Sequence, residues 1–155
     1  MKYLVDTGVL LRLFDTSDPE HQNIVSVFRL LRSRGDQLIA TAQNIAEFWN
    51  VSTRPATARG GYGQSLDATD RRVRFLERLG TVLLPSPAEY AHWRDLLLPH
   101  FISGVSAHDA RLVAAMQVAG ITRFITLNAS DFKRYPDIET LTPSELLASI
   151  GKVDG

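Results

Sequence analysis

The sequence predicts an α/β protein whose central, mainly parallel sheet of four to five short strands is covered by helices on both faces. Short β-prone runs alternate with longer amphipathic segments along the 155 residues. Two helical segments open with a Ser or Thr cap, a proline in the first turn and a glutamate three residues after the cap. With 45% hydrophobic and 22% charged residues, the composition is that of an ordinary globular protein.

Length and composition predict one domain, residues 1–150, followed by a short C-terminal tail, 151–155. The sequence contains no cysteine, which excludes a disulfide framework and thiolate metal sites. Because Asp6 interrupts the N-terminal apolar run after three residues, we expect no signal peptide and no membrane span, and therefore a cytoplasmic location. Net charge is zero, but 14 of the 17 basic residues are arginine, which favours a polyanionic or acidic partner.

The N-terminal stretch MKYLVDTGVLLRLF places a carboxylate where a short strand ends. Residues 3–5 are β-prone, Asp6 stops the run, and apolar residues resume at helical spacing from Val9. In open α/β sheets, ligands and chemistry collect at the carboxyl edge of the strands. The alternative is that Asp6 merely caps the following helix with its side-chain oxygen.

Periodicity and capping residues predict the elements that follow. The second helix has its amphipathic pattern over residues 21–34 and is expected to end at Gly35. Before this pattern, Ser17 or Asp18 is expected to be the N-cap, with Pro19 at the first helical position. The remaining predicted elements are strands at 38–40, 82–84, 124–126 and around 140–141, and helices at 42–53, 66–79, 87–98, 106–119 and after Thr142.

Glu47 lies on the helix that Thr41 opens. Helical geometry places Glu47 on a polar face with Gln43 and Asn44, and puts Trp49 on the opposite, apolar face. A solvated surface glutamate would show the same pattern.

Asp109 heads an apolar stripe on its helix, formed by Leu112, Val113 and Met116. A carboxylate at the top of a buried stripe needs a partner, because desolvating it alone costs several kcal/mol. The alternative is a capping box, since Ser106-x-x-Asp109 fits that pattern.

Asp131 follows the strand 124–126 by one turn, at the same type of sheet edge as Asp6. It could instead cap a short turn over residues 132–135. Two of the four acids follow strands, and two lie in the first half of helices entered from the strand ends. A parallel sheet would therefore direct all four to one edge.

Four carboxylates that share a pocket cannot all stay ionised unaided, because like charges raise one another's pKa values. A divalent cation is the usual remedy. An all-oxygen site without cysteine suits Mg²⁺ or Mn²⁺ better than zinc. Because magnesium sites share the ion with substrate phosphates, this arrangement points to phosphodiester hydrolysis.

Four short motifs also match a known family in order and spacing. They are VDT at residues 5–7, NIAEF at 44–48, HDARLVAAM at 108–116 and TLNASDF at 126–132. Through them the chain resembles PIN domains, most closely the VapC-type ribonuclease toxins of bacterial toxin–antitoxin pairs. The resemblance covers essentially the whole chain and implies a three-layer α/β/α sandwich.

The resemblance further implies that Asp6, Glu47, Asp109 and Asp131 are the catalytic quartet, which holds Mg²⁺ or Mn²⁺ while a metal-activated water attacks an RNA phosphodiester. It also implies a homodimer and an antitoxin whose C-terminal segment lies across the active-site groove. Gly8 departs from the family pattern, where Ser, Thr or Asn is common. The polar residues expected to orient the carboxylates or water are Thr7, Thr126 and Asn128.

Arginines near the acids predict where RNA would be held. Arg12 lies on the first helix, Arg54 follows the helix of Glu47, and Arg59 belongs to a glycine-rich loop, residues 54–65. We expect this loop to be mobile and, with the helix after it, to form a partner-facing clamp. The alternative is that Arg59 is simply a solvated loop charge.

Three other classes of protein remain open. Asp6-Thr7-Gly8 matches the aspartic-protease signature, but that fold is all-β. A phosphoacceptor receiver domain would need a lysine after a late strand, whereas Lys133 lies beyond Asp131 in a turn. The third alternative is a catalytically inactive PIN-like module that binds RNA or protein, with the acids serving as helix caps.

Overall fold

The computed structural model describes residues 1–151, as five strands, seven α-helices and one 3₁₀ helix. The strands are β1 Lys2–Val5, β2 Gln37–Thr41, β3 Thr81–Leu83, β4 Arg123–Ile125 and β5 Glu139–Leu141. The helices are α1 Thr7–Arg12, α2 His21–Ser33, α3 Ala42–Thr53, α4 Leu66–Leu79, α5 Pro87–Leu97, α6 Ser106–Ala119, α7 Pro143–Gly151 and the 3₁₀ helix Ala129–Phe132. Of the predicted tail, residues 152–155 lie outside the described residues.

All strand pairs in the sheet are parallel, in the order β3-β2-β1-β4-β5. Successive side chains of β1 enter different cores: Tyr3 and Val5 pack with α1, α2, α3, α4 and α7, whereas Leu4 packs with α5 and α6. The sheet is therefore covered on both faces, which confirms the predicted three-layer α/β/α architecture.

The sheet has its topological switch point between β1 and β4. From β1 the chain adds β2 and then β3 on one side, and it returns to add β4 and β5 on the other. The Asp6 amide donates to the Ile125 carbonyl oxygen at 2.9 Å across this junction. Since all the strands are parallel, their carboxyl ends meet at one edge, and the switch point at that edge is where ligands bind in such sheets.

The start of α2 differs from the prediction. The helix begins at His21 and its N-cap, Glu20, makes no side-chain cap hydrogen bond, so Pro19 is not its first residue. Asp18 accepts instead from the Glu20 amide at 2.9 Å, closing a turn around the proline. The Asp18 carboxylate also pairs with Arg12 at 3.1 Å, and these local bonds replace the expected cap.

The buried face of α3 is also not the predicted one. Asn44, Phe48 and Ser52 are buried, whereas Trp49 is 37% exposed. Phe48 packs into the core beside Val9 of α1. The predicted face is wrong because only apolar residues were expected to be buried, whereas two of the three buried residues, Asn44 and Ser52, are polar.

Within residues 1–151, no helix has the length and apolar content to cross a membrane.

Candidate active site

The four predicted acids meet at the carboxyl edge of the sheet. Asp6 directly follows β1, and Asp131 lies in the 3₁₀ helix that follows β4. Glu47 projects from α3, and Asp109 from the first turn of α6. Asp109 is electrostatically coupled to the other three carboxyls. The structure therefore brings together residues that are up to 125 positions apart in the sequence.

Burial raises the pKa of the Asp6 carboxyl, and the negative charges of Glu47 and Asp131 raise it further. Two hydrogen bonds act in the opposite direction, one from the Thr126 hydroxyl, at 2.7 Å, and one from the Thr7 amide. The net shift is upward. The Asp6 carboxyl thus lies among other negative charges, and the two hydrogen-bond donors partly offset the rise in its pKa.

Burial likewise raises the pKa of Asp109, and repulsion from Asp6, Asp131 and Glu47 adds to it, giving a pKa of about 6. The nearby His108 lowers this pKa slightly. The capping-box alternative for Asp109 is wrong, because the N-cap is Val105 and makes no side-chain cap bond. The Ser106 hydroxyl, already inside the helix, donates to the carbonyl oxygen of residue 103 at 2.6 Å.

Glu47 is partly buried, and both of its carboxylate oxygens are held. The Thr7 hydroxyl donates to Oε2 at 2.8 Å, and Gln43 donates to Oε1 at 3.0 Å. The same Gln43 amide also donates to the carbonyl oxygen of His108 at 3.1 Å, tying α3 to α6. Glu47 is therefore an oriented group and not a freely solvated surface glutamate.

Asn44 is a positioning residue that sequence reasoning missed. It is fully buried, and its Oδ1 accepts from both the amide and the hydroxyl of Thr41, at 2.9 and 2.8 Å. Its Nδ2 donates to the Thr7 hydroxyl oxygen at 3.1 Å, and that hydroxyl in turn donates to Glu47. The available signal was the T-x-x-N spacing of residues 41–44, which forms a reciprocal cap here.

The capping alternatives for Asp6 and Asp131 are also not observed. Asp6 occupies the N-cap position of α1 but makes no side-chain cap bond, because its Oδ2 accepts from Thr126. Asp131 lies inside the 3₁₀ helix, whose N-cap is Asn128. The predicted contribution of Asn128 is made by its backbone amide, which donates to the buried Thr126 hydroxyl oxygen at 3.1 Å.

Two of the three predicted RNA-binding arginines, Arg12 and Arg54, have side-chain partners within the chain, and the third, Arg59, is exposed. Arg12 pairs with Asp18 and donates to the Gly8 carbonyl oxygen at 3.0 Å. Arg54 donates to the Arg59 carbonyl oxygen at 2.9 Å, within the 54–65 loop. Backbone hydrogen bonds at 2.8 to 3.1 Å fold this loop back onto the end of α3, joining residues 62, 63 and 64 to 51, 54 and 52.

The donor set of this edge fits a hard divalent cation, since all four acids offer oxygen. Crowded carboxyls with raised pKa values are also what such a cation would stabilise in ionised form. In the described part of the chain, no three His, Cys, Asp or Glu side chains already stand in the arrangement of a metal site. Binding through all four acids would thus require side-chain rotation.

Comparisons with known proteins agree with this architecture. The sequence model of the family described as "PIN domain" matches residues 3–138. No curated protein matches the sequence.

Solved structures share the fold at low sequence identity. VapBC-1 from nontypeable Haemophilus influenzae is 18% identical, with a TM-score of 0.66 over 93% of this chain and 99% of that one. VapBC2 from Rickettsia felis, solved bound to a promoter DNA fragment, is 12% identical, with a TM-score of 0.67 over 92% and 98%. Mycobacterium tuberculosis VapC20, described as a Sarcin-Ricin loop cleaving toxin, is 20% identical, with a TM-score of 0.58 over 79% and 86%.

Proposed function

The chain belongs to the PIN domain family, and we propose that it is a metal-dependent endoribonuclease that hydrolyses RNA phosphodiester bonds. One observation carries the proposal: Asp6, Glu47, Asp109 and Asp131 converge on the carboxyl edge of the sheet. These four side chains are the proposed Mg²⁺ or Mn²⁺ ligands. When bound, the cation would polarise the phosphodiester and activate a water.

The remaining polar residues keep the carboxylates in place. The Thr126 hydroxyl and the Thr7 amide hold the Asp6 carboxylate. Thr7 and Gln43 hold the two oxygens of Glu47, and Asn44 holds Thr7. Fixing these groups in advance lowers the reorganisation needed when charge develops on the phosphate.

The proposed biological setting is that of a toxin, with RNA as substrate and a cognate antitoxin as partner. Several solved structures with this fold are toxin–antitoxin complexes, and one is described as a Sarcin-Ricin loop cleaving toxin. A homodimer, a cytoplasmic location and a single domain over residues 1–150 belong to the same proposal. The proposed RNA contacts remain Arg12, Arg54 and Arg59.

The second candidate is a PIN-like module that binds RNA or protein without catalysis. It is favoured by the arrangement of the described side chains, in which no three potential ligands already form a metal site. The two candidates differ in whether the protein binds a divalent cation.

Cleavage of single-stranded RNA with Mg²⁺, with Mn²⁺ and with EDTA tests the proposal. We expect cleavage with the metals, none in EDTA, and loss of most activity in Asp6→Asn and Asp109→Asn. Asp67→Asn, an exposed acid in the first turn of α4, is the matched control. Thermal shift with metal gives a second measurement, because a bound cation stabilises the folded state. Wild-type cleavage by both active-site variants would refute the catalytic role of the quartet.

A further inference from the structure

A cleft lies between α5 and α6. It has a volume of about 340 Å³. It begins where β3 ends, so it lies at the same carboxyl edge of the sheet as the acids. The lining residues are Pro85, Ser86, Glu89, Tyr90, Trp93 and Arg111.

A small hollow relates this cleft to the candidate active site. The hollow shares Pro85, Glu89 and Arg111 with the cleft and is also lined by Gln43. Gln43 donates to the Glu47 carboxylate at 3.0 Å. The cleft and the candidate active site are therefore neighbours at the same edge of the sheet.

One cation of the cleft has no partner in the described part of the chain. Arg111 is exposed and forms no ion pair or hydrogen bond with the described residues. The other polar groups at the start of α5 are used within the helix cap, where Glu89 accepts from the Ser86 amide at 3.1 Å. Arg111 is therefore the group of the cleft that is available to a ligand phosphate.

The cleft also presents an aromatic surface. The Tyr90 side chain is 68% exposed, and the centroid of its ring lies 6.0 Å from that of Trp93. The Trp93 indole is anchored by a 3.0 Å hydrogen bond from Nε1 to the Ala107 carbonyl oxygen. An exposed ring packed beside an anchored one offers a face on which a planar ligand can stack.

We propose that this cleft is a nucleobase subsite for the RNA substrate. A base of the bound RNA stacks on Tyr90, while Arg111 contacts a neighbouring phosphate. A nucleotide matches the combination of one exposed ring face and one cation without a partner near a candidate phosphodiester site. The inference rests on the proposed function, because the cleft is assigned to RNA through Gln43, which bonds Glu47.

Fluorescence of Trp93 tests the proposal without requiring catalysis. The chain has two tryptophans, so a Trp49→Phe background makes Trp93 the only reporter. Octanucleotides of adenine, cytosine or uracil are titrated in EDTA, and an abasic ribose-phosphate octamer serves as the ligand without bases. We expect the base-containing RNAs to quench Trp93 and to bind more tightly than the abasic octamer.

Variants then separate stacking from general binding. Tyr90→Ala should weaken binding of the base-containing RNA roughly fivefold to a hundredfold and remove its advantage over the abasic octamer. Tyr90→Phe keeps the ring and should recover most of the loss. Arg111→Ala should lower the slope of log affinity against log salt by about 0.7. Phe75→Ala, an exposed aromatic on α4, is the matched control.

The outcomes distinguish this subsite from the proposed function. If the wild type cleaves RNA, and Tyr90→Ala and Arg111→Ala bind and cleave RNA as the wild type does, the subsite is wrong and the ribonuclease proposal stands. A wild type that neither binds nor cleaves RNA overturns both. If the Trp93 signal depends on protein concentration without RNA, and Tyr90→Ala abolishes that dependence, the face binds a second copy and the subsite is again wrong.

Discussion

The Thr126 hydroxyl donates to the Asp6 carboxylate at 2.7 Å, joining two residues that are 120 positions apart. The same oxygen accepts from the Asn128 amide at 3.1 Å. One fully buried hydroxyl therefore fixes the acid that directly follows β1 and closes the turn that leads to Asp131. It also lowers the pKa of an aspartate that burial and neighbouring charges would otherwise raise further.

Thr126→Val should lower both stability and RNA cleavage. The substitution keeps the size of the side chain but leaves the Asn128 amide without its acceptor and Asp6 without its donor. A loss of about 1–3 kcal/mol in the free energy of unfolding is expected for such an orphaned buried group. Chemical denaturation and the cleavage rate per folded protein measure the two effects.

Thr126→Ser keeps the hydroxyl and should restore most of both properties, while Thr122→Val, an exposed site just before β4, is the control. Wild-type stability and cleavage in Thr126→Val, with losses in Thr126→Ser, would show that packing of the methyl group, and not the hydroxyl, is what matters.

Asp109→Asn should stabilise the protein at neutral pH in EDTA. The pKa of Asp109 is raised to about 6 from 3.8, so folding disfavours its ionised form. The wild type therefore loses stability as the pH rises from about 4 through 6, and the variant does not lose this contribution. We expect an advantage of about 1 kcal/mol at pH 7.5, since solvent screens a half-buried carboxyl.

Thermal unfolding from pH 4 to 8 measures this difference, which should shrink as the pH falls towards 4. A gain that is independent of pH would contradict the electrostatic origin of the effect.

Asn44→Ala should destabilise the protein and impair the candidate site at a distance. The change removes the acceptor of two Thr41 donors and the donor to Thr7, all in a buried region. We expect a loss of about 2–3 kcal/mol and slower RNA cleavage per folded protein, because Thr7 then no longer holds Glu47 in one position. Asn50→Ala, at an exposed position of the same helix, is the control. Wild-type cleavage by folded Asn44→Ala would show that Thr7 needs no support.

Alanine substitutions of Arg12, Arg54 and Arg59 should reveal which of them contacts phosphate. Each lost contact is expected to reduce the slope of log affinity against log salt by about 0.7 for single-stranded RNA. Arg12 already pairs with Asp18, so Asp18→Asn provides a comparison that breaks the pair but keeps the cation. Unchanged slopes in all three arginine variants would remove these residues from the RNA-binding surface.

Sequence reasoning located the acids because their positions follow simple rules. Asp6 and Asp131 come after apolar strands, and parallel strands end at one edge of a sheet. Asp109 begins the stripe formed by Leu112, Val113 and Met116, all of which are buried as predicted.

The surroundings of Glu47 could not be predicted in the same way. The buried face of α3 includes Asn44, which a scale of hydrophobicity assigns to solvent, and its burial depends on Thr7 from another helix. The bond from Gln43 to the His108 carbonyl oxygen joins segments 65 residues apart that no local pattern connects. Contacts of this kind are set by how α1, α3 and α6 pack, which is not encoded in any one segment.

The strand order also determines when the site can exist during protein synthesis. β1 can pair with β2 as soon as the first 41 residues are available, whereas its other neighbour, β4, begins at Arg123. Chains leave the ribosome N-terminus first, at about 5–20 residues per second. Asp6 is therefore synthesised several seconds before Thr126 and Asp131. A nascent chain is spared the mutual repulsion of the full carboxylate cluster, because the complete site can assemble only after residue 131 has been synthesised.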